Sequence, residues 1–337
     1  MFRLFASFVC IAILGFGVSS PKAQEMKFFR IGTGSISGIY FPVGGLLASA
    51  ISNPSGATLC GRGGSCGVAG LVAVAQASRG SIANIKTIAQ GKIESGLAQA
   101  DMAYFAANGK DLFKKSGAIR GLRAIANLYP EAVHIVVRRS SKIRSIDDLG
   151  GKRISLDLRG SGTRNIARRI LQGYGITLKD IRQVNSQIGP AMDRLRAGTI
   201  DAFFFVGGFP APAIERLSHE TPINLLPMRR TRTAAIRITN PFLAKTIIPT
   251  GTYGIKKAVE TLSVGALWLV SDKMDEKTVY GITRALWHPT TRAILDQGPP
   301  ATRQIRVENA LNGVVIPLHA GARRYYREKG MLAKHRP

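Results

Sequence analysis

The chain has 337 residues, 45% of them apolar, and 47 Lys and Arg against 20 Asp and Glu give it a net charge of +27. The apolar content excludes a disordered chain and provides for one large or two medium cores. The charge suits an anionic partner, but the basic residues are scattered and accompany no nucleic-acid fold signature, so nucleic acid is not among the expected partners.

Arg3 followed by the apolar run Leu4 to Val18 reads as a secretory signal, too short for a comfortable membrane span. A signal over residues 1–23 makes the mature protein an exported one, and its charge is still +25 once Arg3 and Lys22 are set aside. Cys10 lies inside the run without the small residue before it that a lipid anchor requires.

Short apolar runs then alternate with amphipathic stretches. "KFFRIGT", "LVAVAQA", "SGLAQA", "AVHIVVRR", "KRISLD" and "DAFFFVGG" predict buried strands; "YFPVGGLLASAIS", "SIANIKTIAQ", "TRNIARRILQGYG" and "AMDRLRAG" predict helices. The alternation predicts an α/β fold with largely parallel sheets. Between the first strands, Cys60 and Cys66 are separated by five residues and, in an oxidising compartment, predict one disulfide closing a short loop. A metal there needs further His or Cys ligands, and none is close in sequence.

One device occurs three times: strand, glycine turn, helix. It is written in "IGTGSISGIY", "AQASRGSIAN" and "LDLRGSGTRN", each with small hydroxyls (Ser35, Ser37, Ser78, Ser81, Ser161, Thr163) at the positive end of a helix. Any single case reads as helix capping, whereas three together predict a shared anionic ligand. Gly32, Gly34 and Gly38 approach a dinucleotide fingerprint, but no Asp or Glu occurs between Met26 and Ile93 to hold a ribose. A triphosphate loop lacks its glycine-lysine-Ser/Thr ending.

Catalytic patterns are sparse. "GGSCG" formally matches a nucleophile elbow at Ser65, but no strand leads into it. His134, His219, His288, His319 and His335 show no metal-type pairing; His134 reads as a strand histidine, and Asp147, Asp148 and Asp157 as turn and cap residues.

Taken in order, "IGTGSISGIYFPVGG", "GLAQADMAY", "LYPEAVHIVVRRSSKIRSIDDLGGKRISLD", "GSGT", "GTIDAFFFVGG", "IPTGTY" and "ENALNGVVIPLHAGARRYYREKG" resemble the TAXI family, the substrate-binding proteins of tripartite ATP-independent periplasmic (TRAP) transporters. The resemblance spans about residues 27 to 331. It implies a two-lobed α/β periplasmic-binding-protein fold of type II kind, with a ligand cleft between the lobes and a hinge. Lobe one is expected over 24–126 and 226–337 and lobe two over 127–225, with crossings near "ANLYP" and "INLLP". It further implies a monomeric periplasmic receptor, not an enzyme, that binds a small carboxylate or amino acid such as glutamate or 2-oxoglutarate, needs no cofactor, and delivers its cargo to a TRAP-type permease.

Carried over by position, the ligand-binding set is Gly34, Ser35, Tyr40, Ser78, Ser81, Gln99, Asp101, Tyr129, Ser161, Gly162, Thr163, Gly207 and Gly208. Arg79 and Arg159 depart from the family pattern; either one, turned inward, could clamp a second carboxylate. Other readings are a receptor of the same fold serving an ABC-type permease or a sensor kinase, and an exported serine hydrolase using Ser65.

Overall fold

A computed structural model describes residues 26–332 apart from Leu59 and Gly63, so the expected signal at 1–23, with Cys10, lies outside the described residues. In chain order the first elements are β1 (Lys27–Gly32), α1 (Tyr40–Ile51), β2 (Ser52–Asn53), β3 (Val68–Ala69), β4 (Leu71–Gln76), α2 (Ser81–Ala89), β5 (Ser95–Gln99), α3 (Ala100–Ala107) and β6 (Leu122–Arg138). There follow β7 (Arg153–Ser155), α4 (Gly162–Gly173), β8 (Arg182–Val184), α5 (Ile188–Arg196), β9 (Ala202–Gly207), α6 (Pro212–Glu220), β10 (Ile223–Leu225), α7 (Arg230–Thr239), β11 (Ala244–Ile248), β12 (Val259–Ser271), α8 (Glu276–Leu286), α9 (Pro289–Asp296) and α10 (Ala320–Glu328).

Ten strands form one sheet in the order β4-β1-β5-β12-β6-β9-β7-β8, with β10 beside β6 and β11 beside β12. The sheet is parallel at its flanks, where β1 joins β4 and β5, and β7 joins β8 and β9. Its centre is antiparallel, which corrects the expectation of largely parallel pairing: β12 runs against both β5 and β6, and β6 against β9. The parallel flanks arise from strand-helix-strand crossovers, which place helices over the sheet.

Two long strands join the halves. Residues 122–132 of β6 lie beside β12, and residues 132–137 lie beside β9. β12 starts between β11 and β6 and ends between β6 and β5. Both strands are buried along almost their whole length, as expected for strands covered on both faces. The "ANLYP" crossing is therefore the uninterrupted middle of β6, and "INLLP" covers β10, which pairs with the far end of β6. Each face of the sheet carries its own apolar cluster, one containing Phe29, Leu47, Tyr129, Phe203 and Trp268, the other Ile85, Met102, Ile135, Phe204 and Leu267.

Cys60 and Cys66 form the expected disulfide. The structure also brings His288, distant in sequence, beside the two sulfurs, and Thr290 Oγ1 lies 3.4 Å from Cys66 Sγ. A third potential metal ligand is thus present, but sulfurs joined to each other are not thiolate donors. Because the closed loop is short, replacing both cysteines by serine is expected to lower stability by about 2 kcal/mol, measured by denaturant unfolding.

Candidate functional site

The three glycine turns meet at one cleft. The turn after β1 leads into α1, the turn after β4 into α2, and the turn after β7 into α4. The two flanks run in opposite directions and are offset along β6, β5 ending level with Tyr129 and β9 level with Ala132, so the carboxyl ends of both sets of parallel strands, and the helices that follow them, face one another. The cleft encloses about 60 Å³, enough for a few waters or one small organic ion.

Of the carried-over residues, Gly34, Ser35, Tyr40, Arg79, Ser81, Gln99, Ser161, Gly162 and Thr163 line this cleft. Ser78, Asp101, Tyr129, Arg159, Gly207 and Gly208 do not. Ser78 shapes the turn from behind: its hydroxyl lies 2.7 Å from Asn84 Oδ1 and accepts from Gly80 N at 2.9 Å. Asp101 is buried at the start of α3 and accepts from Met102 N at 2.8 Å. Arg159 is exposed on the turn before α4.

The remaining three act as packing. The Tyr129 ring is fully buried, and its hydroxyl has no hydrogen-bond partner. Gly208 lies against that ring, where a Cβ would come 3.4 Å from it and 2.3 Å from Ala301 Cβ. A Cβ on Gly207 would come 2.4 Å from the Phe205 ring, which lines the cleft, so this glycine makes room for the wall.

Several lining residues were not singled out from the sequence: Gly80, Glu131, Asp157, Gln187, Phe204 and Phe205. Glu131 is the most consequential. It is 2% exposed, and its Oε2 accepts from the Tyr40 hydroxyl at 2.8 Å across the cleft. Burial pushes its carboxyl well above the ordinary range, and the nearby Asp101 adds to the effect. Burial likewise raises the Tyr40 hydroxyl, with Glu131 contributing.

Asp157 proves to be more than a turn residue. It adopts a left-handed conformation (φ 74°), and its Oδ2 accepts from the Ser161 hydroxyl at 2.8 Å. Burial pushes its carboxyl up to about 6. Asp101 also rises to about 6 by burial, opposed by the Met102 N–H and the Arg169 charge. Asp148 keeps its expected role, capping with Ser145 the turn that follows.

Hydroxyls and helix ends are arranged around this pair of acids. Ser161 caps α4 by accepting from Arg164 N at 3.4 Å, and Thr163 Oγ1 accepts from Val206 N at 3.3 Å. Ser81 Oγ accepts from Gln99 N at 3.1 Å. The first turn of α2 is not bare, as its sequence suggested: Ile82 N and Ala83 N both donate to the Gly160 carbonyl, at 3.1 and 3.3 Å. Gln187 reaches across in the same way, its Nε2 donating to Ser78 O at 3.3 Å. The two walls are therefore in contact.

Gln99 is 3% exposed and its Oε1 has no partner, although it lines the cleft. A buried amide oxygen without a donor is costly, and a bound ligand with an N–H or O–H group would relieve it.

The other chemical candidates are occupied structurally. His134 is buried in β6 between Ala132 O (3.0 Å) and the Tyr253 hydroxyl (3.2 Å), and burial pushes it down to about 4. The Ser65 hydroxyl donates to Ala50 O at 3.0 Å and accepts from Gly67 N at 3.1 Å. Among the described residues no helix is long and apolar enough to cross a membrane.

Comparison with known proteins gives a family match and a fold match. The NMT1-like family is matched over residues 31–330. A solved structure of a periplasmic transporter has a TM-score of 0.51 at 14% identity, over 91% of this chain and 96% of that one. A binding-protein component of an ABC phosphonate transporter from Pseudomonas aeruginosa has a TM-score of 0.50 at 11% identity, over 81% and 79%. The alkanesulfonate-binding protein from Xanthomonas axonopodis pv. citri bound to MOPS has a TM-score of 0.45 at 18% identity, over 93% and 94%. The first two show that this chain has the mixed α/β fold of periplasmic solute-binding proteins.

Proposed function

The chain belongs to the NMT1-like family, and from that premise we propose that it is a periplasmic receptor, not an enzyme, for a small organic anion or amino acid. The observation that carries this reading is the meeting of three helix starts and their hydroxyls around one small cleft. Helix N-termini and hydroxyls satisfy a carboxylate by charge-assisted hydrogen bonds without a fixed ion pair. A cleft of about 60 Å³ favours a compact ligand, with C4 to C5 carboxylates such as glutamate and 2-oxoglutarate as leading candidates. Arg79 is the carried-over arginine that lines the cleft, and it serves as the cation for a second carboxylate; Arg159 is left outside.

The halves joined by β6 and β12 act as lobes that close over the ligand, with the divisions set at about 126/127 and 225/226. The membrane partner is a TRAP-type permease, a reading that rests on the ordered motifs resembling the TAXI family. A second reading is supported by the shared fold of the binding component of an ABC phosphonate transporter, which makes an ATP-driven permease the alternative partner. Uptake into vesicles distinguishes them, because a TRAP partner needs an ion gradient and no ATP.

The primary test is calorimetric titration of the mature protein with mono- and dicarboxylates, amino acids and sugars, after partial unfolding to strip any carried-over ligand. Micromolar binding, corresponding to about −8 kcal/mol, is expected for one anionic class. Absence of heat with every small solute overturns the reading. Ser161→Ala removes a cap and the partner of Asp157, and should weaken binding several-fold and cost about 1 kcal/mol of stability. Thr163→Ala should also weaken binding, and unchanged affinity in both variants removes these residues from the site.

A further inference from the structure

Glu131 poses a problem for any anion in this cleft. It lines the same small space, it is almost fully buried, and among the described residues the protein donor it meets is the Tyr40 hydroxyl. The titratable groups facing it are Tyr40 from α1, Tyr129 from its own strand and Asp101 from α3. None of these is a cation, and Asp101 adds a like charge. Arg79 lines the cleft, but among the described residues no hydrogen bond or ion pair joins it to Glu131. An ionised Glu131 would therefore repel the ligand's anionic group inside a space from which most water has been removed.

We propose, building on the receptor reading above, that Glu131 enters the closed complex as the neutral acid and donates a hydrogen bond to the ligand, so that one proton is taken up from solvent with each anion bound. The proton comes from the buffer and joins a carboxylate oxygen of Glu131; no covalent bond to the ligand forms or breaks. Opening that lets water back to the carboxyl relieves the burial that raises it and favours its ionised form. Closure raises it, so binding and protonation are linked. Tyr40 marks the geometry: its hydroxyl already occupies one oxygen of Glu131, leaving the other for the ligand.

The sign follows from this linkage. Affinity falls as pH rises above the open-state value and levels off above the closed-state value. Asp101 and Asp157, both raised to about 6 by burial, are the other acids beside the cleft, and measurement at pH 7.5 with Asp157→Asn beside wild type separates the Asp157 proton from that of Glu131.

The experiment is calorimetry of 2-oxoglutarate and of L-glutamate at pH 7.5 in two buffers of different ionisation heat, repeated between pH 5.5 and 7.5. Wild type should take up close to one proton per ligand, with the dissociation constant rising about tenfold per pH unit. Glu131→Gln carries a permanent N–H donor and should show neither proton uptake nor pH dependence. Binding by wild type without proton uptake overturns the proposal, and uptake that persists in Glu131→Gln overturns the assignment to this residue. Should that variant not fold, Asp157→Asn provides the control: uptake at pH 7.5 must survive in it, and its loss there reassigns the proton to Asp157. Binding of neither probe in either buffer is a different result, which overturns the small-carboxylate reading and this proposal with it.

Discussion

Gly162→Val is expected to weaken ligand binding by about 100-fold while shifting the melting temperature of the ligand-free protein by only a few degrees. Gly162 is the first residue of α4, and a Cβ there would lie 2.1 Å from Gln99 Oε1, 2.6 Å from its Cδ and 2.9 Å from Ser81 Oγ. Those atoms belong to the opposite wall of the cleft. Ser81 cannot retreat without giving up its bond to Gln99 N, and Gln99 is packed on every side. The added side chain therefore keeps the walls apart, and overpacking of this kind costs about 1–3 kcal/mol in the closed state alone. Titration of the variant with the ligand found for wild type, beside a thermal scan of both, measures the two quantities. Tight binding by the variant would show that the walls need not meet.

The buried acids are expected to make the protein more stable at pH 5 than at pH 7.5 relative to a variant that lacks them. Asp101 and Asp157 have an ordinary value of 3.8 and titrate at about 6 in the folded chain because burial penalises their charge. Between these values the folded state holds more protons than the unfolded state, so stability decreases as pH increases through the window. Integrated from pH 5 to 7.5, each group contributes about 1.4 kcal/mol. His134, pushed down from 6.5 to about 4, opposes them by about 2 kcal/mol over the same window, because the unfolded chain takes up a proton there that the folded chain refuses, so the net change from these three groups is under about 1 kcal/mol.

Other carboxylates act in the opposite direction at lower pH. Asp201 is held below its ordinary value by Arg153, with Nη2 to Oδ1 at 2.7 Å, and Asp275 by the Thr278 N–H. Their stabilisation is present above the ordinary value and is lost as pH falls through those depressed values. Differential scanning calorimetry across pH 4 to 8.5 tests this, and Asp157→Asn should flatten the alkaline side. A difference in melting temperature between wild type and Asp157→Asn that is the same at pH 5 and pH 7.5 removes Asp157 from the account.

The elements that the sequence revealed were those with a strong local signal. β1, β4, β5, β7 and β9 are short apolar runs bounded by turn residues, and α1, α2 and α4 follow glycine turns with apolar spacing; all lie within a few residues of where the patterns put them. The centre of the sheet was less legible. "AVHIVVRR" captures only the second half of β6, because Asn127, Pro130 and Glu131 interrupt the first half as a reader of local patterns sees it. β12 was not among the predicted strands; β11 is its local partner, but its central place in the sheet depends on β5 and β6, more than a hundred residues away.

The site divides in the same way. Residues on the glycine turns were recognisable because a helix start and a hydroxyl are adjacent in sequence. Glu131 and Asp157 were not, since each acquires its meaning from burial and from a partner, Tyr40 or Ser161, brought close by folding. A single acid within an otherwise apolar strand was the available signal for Glu131: such a group must find a partner or give up its charge.

The paired central strands have a mechanical consequence. β6 and β12 are hydrogen-bonded to each other from Leu122 with Ser271 to Ala132 with Ser263, and their register shifts between Ala266 and Leu267 and between Trp268 and Leu269. Two strands tied in this way resist bending in the plane of the sheet but yield to twist, and irregular pairing is where twist concentrates. The connection behaves as a torsion bar anchored in both cores. Mutations that stiffen it, far from any ligand, should alter how fast the cleft opens and closes more than how tightly it holds.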